Sequence, residues 1–558
     1  MNRLVTLLTW TLALAAGVAH ARSDLIHYRL APEADGERLR ALAVSVTIPV
    51  PPGTWLTLQL PEQVPAAALR IDGAQAEPAG TTPTAGTVRI HATAPVVTVH
   101  YRLPSDGSDS LVADQDNAQR SPAISNLWFG VKGEQGLVLP QGLEKARATL
   151  EVDAFPPGWT VATGVSGPST VADLADSFLI GGRHYALMQR TVDGATLRIA
   201  YPAALKQTAT DLLETSARVL QAENRFWHAP AQPFFIALVQ MKHRQDFGGR
   251  GLHGGFALYM GAEVPRDEWL HLIAHENLHT WISRRIGGFP ATDDDLEAWL
   301  NEGFTEAYTA RILLDAGLWT PTRFVADWNH SLVRHGASPA RGEPNARILA
   351  DRHRDEDIGW LPYDRGRLLA VLWDRRLRHE TDGRIGLDDV MRAQVEQAAA
   401  NDAAGRVVSA DALLPRVVRQ LAGVDLSDDI ERHVDRGVLP VLPTDAFGPC
   451  IRVVQVTRPA FDHGFDFVAT MKAHGRLTSL EPGGPAERAG LREGDRLHVD
   501  EVYSNDSSIA LTYGVDNPDG TRRLVSYRPE GRGVVTIQQL EPVSTSMDDR
   551  CVQGMATP

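Results

Sequence analysis

Apolar and polar residues alternate, or β-branched residues cluster, in Ala41–Val50, Thr87–His91 and Val96–Leu103. The intervening stretches are rich in Pro, Gly and Thr, as in Ala76-Glu-Pro-Ala-Gly-Thr-Thr-Pro83. A period of two bounded by turn residues predicts strands with one buried face. Residues 22–202 are therefore expected to form an antiparallel β domain, a sandwich. From Ala203 to Pro443 the period lengthens to that of amphipathic helices. Helices are predicted over Asp211–Trp227, from Pro265 to the pair Gly287-Gly288, from Asp293 to near Gly317, from Thr320-Pro321 onward, and over Asp364–His379 and Leu387–Ala400. Phe234–Val239 reads as a short buried strand. Between 450 and 542 strands return, at Ile451–Val456, Phe465–Met471 and Val534–Leu540, around the Gly/Pro-rich segment Glu481–Asp495. The fold class expected is multidomain: an N-terminal antiparallel β domain (22–202), a central mainly α domain (203–443) and a C-terminal α+β segment (450–542). Residues 543–558 read as a loose tail.

A chain of 558 residues exceeds one ordinary domain, which agrees with this division. Lys and Arg total 55 against 69 Asp and Glu, a net charge of -14, so the chain has no bulk attraction to phosphate backbones and nucleic acid is not an expected partner. The first residues form a targeting pattern: Arg3, an apolar run from Leu4 to Val18, and Ala19-His20-Ala21 as a small-x-small cleavage site. The run is short for a membrane span and no later stretch approaches one. Residues 1–21 are thus expected to be a cleaved signal peptide, giving an exported protein, periplasmic or secreted, with no membrane span after cleavage. Two cysteines exclude a disulfide-dense scaffold and a four-cysteine zinc module. Cys450 and Cys551 could pair in an oxidising compartment or stand as separate thiols, and spacing alone leaves both open.

The chemistry lies in the helix opened by Pro265, which reads His271-Leu-Ile-Ala-His275-Glu276-Asn-Leu-His279-Thr-Trp281. Residues four apart share one face of a helix, so His275 and His279 can offer two imidazoles to one metal ion. Neutral imidazole nitrogens suit zinc. Glu276 points to the side and can reach a water without being a ligand. The same four letters on an exposed helix would be two solvated histidines. The next helix reads Leu296-Glu-Ala-Trp-Leu-Asn-Glu302-Gly-Phe-Thr-Glu306. After a loop and a helical return, Glu302 can supply a third ligand, and a buried carboxylate among Trp299, Leu300 and Phe304 needs a partner. Glu306, one turn on, either accepts the outer N–H of a ligand histidine or is a solvated carboxylate. Pro362-Tyr363-Asp-Arg-Gly366 is expected to open a helix, with Tyr363 just before it and able to aim its hydroxyl at an oxyanion.

His275-Glu276-x-x-His279-x-Trp281, Trp299-Leu-Asn-Glu302-Gly-Phe-Thr and Tyr363-Asp-Arg-Gly, in this order, resemble the gluzincin metallopeptidases, and most closely the glycyl aminopeptidase family, metallopeptidase family 61. Tyr363-Asp-Arg-Gly-Arg-Leu-Leu-Ala-Val-Leu-Trp-Asp and Gly386-Leu-Asp-Asp-Val-Met391 extend the likeness. The resemblance implies a thermolysin-like (gluzincin) catalytic domain over 203–443 and one Zn2+ per chain held by His275, His279 and Glu302. It also implies Glu276 as general base, Tyr363 as transition-state hydrogen-bond donor, and peptide or protein substrates. Gly484-Pro-Ala-Glu-Arg-Ala-Gly490-Leu-Arg-Glu-Gly494-Asp495 resembles bacterial PDZ domains. That implies a PDZ-like domain over 450–542, with Gly464–Phe467 as a loop that would hold a peptide C-terminus, or else a structural lid. Family members carry a glycine-rich edge strand with a glutamate for the substrate's free amine. The matching place here is Gly248–Phe256, with His253, Gly254 and Gly255 expected to bind substrate. His253 stands where the glutamate is expected, and an imidazole cannot reproduce a carboxylate's bond to an ammonium. Three readings follow: an aminopeptidase-like zinc peptidase, a zinc endopeptidase without free-amine recognition, or a catalytically weak peptide-binding protein.

Overall fold

The computed structural model of the chain describes residues 25–543, apart from 78–85, 115–121, 166, 168, 245, 290–293, 353, 500–504 and 518. The expected signal peptide, Cys551 and the tail from Ser544 lie outside the described residues. Among those described, no helix is long and apolar enough to cross a membrane. The chain divides into two compact units, Met1–Tyr185 and Ala186–Pro558.

The first unit is β-rich. Its largest sheet has six strands, in the order Ser169–Thr170, Arg147–Val152, Ile26–Asp35, Arg38–Pro49, Val96–Pro104, Arg70–Asp72. Two four-stranded sheets accompany it. Among the described residues its strands pair antiparallel, except that Ile26–Leu30 runs parallel to Ala148–Val152. Alternation sets the buried face: Ile26, Tyr28 and Leu30 are inside while His27 and Arg29 are exposed. Two buried tyrosines serve the backbone between sheets: Tyr28 donates to the Val138 carbonyl (3.0 Å) and Tyr101 to that of Gly136 (2.8 Å).

The second unit begins with a five-stranded sheet. Its strands are β1 (Tyr185–Val192), β2 (Ala195–Pro202), β3 (Phe234–Gln240), β4 (Phe247–Leu252) and β5 (Gly255–Met260), in the order β1-β2-β3-β5-β4. Strands at 185–202 therefore pair into the sheet of the helical unit, β2 running parallel to β3. β4 is the outer strand and is joined antiparallel to β5 by a tight hairpin. Five helices carry the rest of the argument: α1 (Lys206–Trp227), α2 (Arg266–Leu278), α3 (Asp294–Asp315), α4 (Pro321–Ala337) and α5 (Glu356–Glu380). Thr320 caps α4, accepting from the Arg323 amide.

Three expectations are corrected. The Pro265 helix ends at Leu278 rather than at Gly287. Residues 279–285 continue as hydrogen-bonded turns, as in Ile282 N–H to Leu278 O (2.8 Å). The Tyr363 helix starts at Glu356, capped by the Asp355 carboxylate on the amides of Asp357 and Ile358, so Pro362 lies inside it. A proline there removes one hydrogen bond, and burial of Ile358, Leu361 and Leu369 on the same helix holds it regardless. Finally, the strand expected at Phe465–Met471 is a helix over Phe467–Lys472, because Asp466 caps it on the Ala469 amide.

α3 and α5 cross backbone to backbone. A Cβ on Gly303 would lie 2.4 Å from the Gly366 Cα, and one on Gly366 would lie 1.7 Å from the Trp299 carbonyl oxygen. Only glycines allow that approach. α5 is fixed on its other flank by α4: Arg334 grips Asp364 through two bonds (2.6 and 2.9 Å), and buried Arg367 bonds Ser331 (2.6 Å) and Asp327. The C-terminal segment adds a long two-stranded antiparallel ribbon, β6 (Ile451–Phe461) with β7 (Glu530–Pro542), and, between them in sequence, a three-stranded sheet with a small core of its own around Phe465, Leu477, Leu491 and Tyr513. Ile451, Val453 and Leu540 of the ribbon belong to the helical core itself.

Candidate metal centre

α2 ends where its chemistry begins. His275 lies on its last turn. His279 caps it with helical backbone (φ -61°, ψ -18°), so the four-residue spacing keeps both rings on one face. The rings stand perpendicular (88°), their centroids 4.6 Å apart and their Nε2 atoms 3.0 Å apart. From α3, Glu302 brings Oε2 to 3.2 Å from His275 Nε2 and 3.4 Å from His279 Nε2. The three ligand atoms lie within 4.8 Å of one another, as one metal ion requires.

The outer ring atoms show which nitrogens are offered inward. His275 Nδ1 lies 2.9 Å from Glu306 Oε1, and Glu306 Oε2 lies 3.1 Å from His271 Nε2. His279 Nδ1 lies 2.6 Å from Ser283 Oγ, which donates to Asn301 Oδ1 at 2.6 Å. One polarity satisfies the second chain: Nδ1–H donates to Ser283, and Ser283 donates to Asn301. That leaves His279 Nε2 with its lone pair toward the His275 ring and Glu302. Two imidazole nitrogens and one carboxylate oxygen converging with the lone pairs inward are the donor set of a catalytic zinc site with a fourth position open. The residues present fit the ion.

Charge in the site is arranged for a cation. Burial opposes charge on His275, yet Glu302 and Glu306 outweigh it and hold its pKa well above the usual histidine value. Burial would raise both carboxylates, and the histidines instead hold Glu302 and Glu306 well below the usual range.

Glu276 is buried and points at the outer strand. A Cβ on Gly249 would come within 2.6 Å of its Cγ and 2.8 Å of its Oε1, and the Gly251 amide donates to its carboxylate. Burial raises the Glu276 pKa, with the two histidines opposing. A carboxyl shifted toward neutrality suits proton transfer. Tyr363, two turns into α5, places its ring 6.3 Å from that of His275. Burial, with Glu302 adding, pushes its pKa far above the usual phenol value. It accepts a bond from Arg352, which leaves its own proton to donate.

The three residues expected to bind substrate lie at the turn that joins β4 to β5. His253 is exposed in the hairpin turn between β4 and β5. Gly254 (φ +64°) completes the turn beside the Pro233 carbonyl, and Gly255 packs on β3, where a Cβ would lie 1.9 Å from the Phe235 oxygen. The strand positions set against Glu276 are Gly249 and Gly251, inside the glycine-rich stretch Gly248–Phe256 expected to form the edge strand. The sequence reading passed over His271, Ser283, Asn301 and Arg352. One signal was available: 271, 275, 279 and 283 form a row of four-residue steps.

Residues 268–350 match the family model of the M61 glycyl aminopeptidases, a stretch that holds all three converging ligands and Glu276. No curated protein matches the chain in sequence. Among solved structures, an aminopeptidase N family protein from Idiomarina loihiensis is similar at TM-score 0.64 and 18% identity, with 96% of this chain and 100% of that chain covered. An M1 zinc metallopeptidase from Deinococcus radiodurans is similar at TM-score 0.51 and 20% identity, with 75% and 96% covered. The likeness to both is one of fold: a β-rich N-terminal part followed by a helical one.

Proposed function

We propose that the chain is an exported, zinc-dependent peptidase, a hydrolase that splits peptide bonds with an activated water; its candidate metal ligands lie in the stretch that matches the M61 glycyl aminopeptidase model. The observation that carries this reading is the convergence of His275, His279 and Glu302 with Glu276 beside them. When bound by these three residues, zinc supplies Lewis acidity and lowers the pKa of a water toward about 7. Glu276 takes a proton from the attacking water and returns it to the leaving amine. Tyr363 donates its hydroxyl proton to the substrate carbonyl oxygen as negative charge builds there. β4, an outer strand with glycines over Glu276, lets an extended substrate backbone approach closely. Glu306 and Ser283 hold the ligand rings in the metal-binding tautomer. Export is read from residues 1–21 alone.

An aminopeptidase-like action follows the family match. A second reading, endopeptidase action, is favoured by one observation: the β4 positions facing Glu276, Gly249 and Gly251, carry no carboxylate to receive a free amine. We read residues 450–542 as a PDZ-like lobe on the strength of the Gly484–Leu491 loop and helix. The helix at Phe467–Lys472 leaves no strand there for a peptide to pair with. Metal analysis of the purified chain, with a peptide-library digest read by mass spectrometry, tests the proposal. One zinc per chain and cleavage lost in Glu276→Gln are expected. Absence of cleavage by the zinc-loaded chain would defeat it.

A further inference from the structure

One arginine, outside the metal centre, holds both neighbours of Tyr363. On α5, Trp360 and Asp364 are four residues apart and share one face, with Tyr363 beside them. Arg334 of α4 reaches both. Its Nε and Nη2 donate to the two oxygens of Asp364 (2.9 and 2.6 Å), a two-pronged grip on the residue bonded to Tyr363. The same guanidinium lies over the Trp360 ring, 3.9 Å from its centre. Trp360 in turn meets the Tyr363 ring edge to face, at 5.2 Å and 60°. The indole N–H of Trp360 bonds Glu356, one turn earlier on α5, so that ring is fixed at its edge as well as on its face.

The pair is withdrawn from water: 12% of the Arg334 side chain and 3% of the Asp364 side chain remain exposed. An exposed ion pair samples many geometries, whereas a buried two-pronged one keeps a single arrangement. These bonds are distinct from those that hold the ligand rings, Glu306 to His275 and Ser283 to His279. Arg334 therefore bears on the hydroxyl donor and not on the metal ligands. The position of that donor matters steeply, since a displacement of about 1 Å in a reacting group costs on the order of a hundredfold in rate.

We propose that Arg334 is a positioning residue for the reaction: by gripping Asp364 and covering Trp360 it sets where the Tyr363 hydroxyl stands. The inference rests on Tyr363 as the donor to the oxyanion and deepens that reading. Lysine is no substitute. An ammonium carries the charge but has neither a fork to span two carboxylate oxygens nor a plane to lie on an indole.

The test is a double-mutant cycle on the zinc-loaded full chain. Arg334→Lys is expected to lower kcat about tenfold or more, with KM and zinc content near those of the parent. In a Tyr363→Phe background the same substitution should change kcat by about twofold at most, because the hydroxyl it aims is gone. Trp360→Leu leaves the ion pair in place, and it should show the same coupling to Tyr363; it carries the cycle if Arg334→Lys does not fold. A merely structural role lowers kcat by one factor in both backgrounds, and that result overturns the proposal. So does an unchanged kcat in folded Arg334→Lys, or a Tyr363→Phe variant as fast as the parent. Affinity for a phosphinic peptide, a tetrahedral anion that takes the same bond from Tyr363, reads the cycle without turnover. A chain that cleaves nothing but loses this affinity in the coupled pattern defeats the peptidase reading and leaves the positioning role standing. Cleavage with equal losses in both backgrounds defeats the positioning role alone.

Discussion

Ser283 Oγ stands 2.6 Å from His279 Nδ1 and 2.6 Å from Asn301 Oδ1, and so decides which nitrogen of that histidine faces Glu302. The bond crosses from the turn after α2 to α3, so one hydroxyl also ties the two ligand-bearing elements together. Ser283→Ala is expected to weaken zinc about ten- to hundredfold, the usual cost of removing such a partner. Competition with a chromophoric chelator measures it. Ser283→Thr, which keeps the hydroxyl, should recover most of the affinity.

Glu276→Gln keeps the shape of the side chain and removes its base. Zinc content should stay at one per chain while kcat falls about 10²–10⁴-fold. Metal analysis and turnover on one preparation separate the two quantities, and retained turnover would contradict the role given to Glu276.

Tyr363→Phe removes the hydroxyl and little else, because the ring keeps its packing beside Trp360 (5.2 Å) and His275. A donor that acts as charge develops shows itself in kcat rather than KM. A fall of roughly 10²–10³ in kcat with a nearly constant KM is expected. A change confined to KM would make Tyr363 a binding residue instead.

Gly249→Ala tests the outer strand. The added methyl would sit 2.6 Å from Glu276 Cγ and must displace it. A shift of about 1 Å in a reacting group costs on the order of a hundredfold in rate. The circular dichroism spectrum and zinc content should be those of the parent chain. Unimpaired activity would mean that Glu276 and β4 are not held as described.

Away from the metal, His463 supplies a pH dependence of stability. It is stacked 4.4 Å from Phe467 beside the Tyr513 hydroxyl (3.0 Å), and burial lowers its pKa to about 4, with Asp462 opposing. Unfolded histidine titrates near ~6.5. The neutral ring therefore contributes stability that is fully present above that pH and is lost as pH falls toward 4, by at most about 1.4 kcal/mol per pH unit. Denaturant midpoints at pH 7 and pH 4.5 should differ less in His463→Gln than in the parent chain.

The metal ligands and Glu276 were legible because helical spacing is a local property. His275 and His279 need only one turn of helix to meet, and Glu302 announced itself as a carboxylate among buried aromatics. What failed was nonlocal. The start of α5 was misplaced because Pro362 reads as a boundary, whereas the Asp355 cap and burial along Ile358, Leu361 and Leu369 carry the helix through it. Within Gly248–Phe256 the glycines look alike in sequence. Only the pairing of β4 with β5 shows that Gly249 and Gly251 are the ones over Glu276. The helix at Phe467–Lys472 was read as a strand because its apolar residues are too few to declare a period.

The ribbon of β6 and β7 also completes the helical core. Asn329 of α4 closes a two-way clasp on Leu540, donating to its carbonyl (3.0 Å) and accepting from its amide (2.6 Å), while Ile451, Val453 and Leu540 fill the interior beside Phe324 and Trp328. A polypeptide ended at Pro443 would present that interior to water along the flank of the helix that grips Asp364 and Arg367. Shortened versions made to isolate the hydrolase are therefore expected to aggregate, and expression trials should carry the chain through at least Pro542.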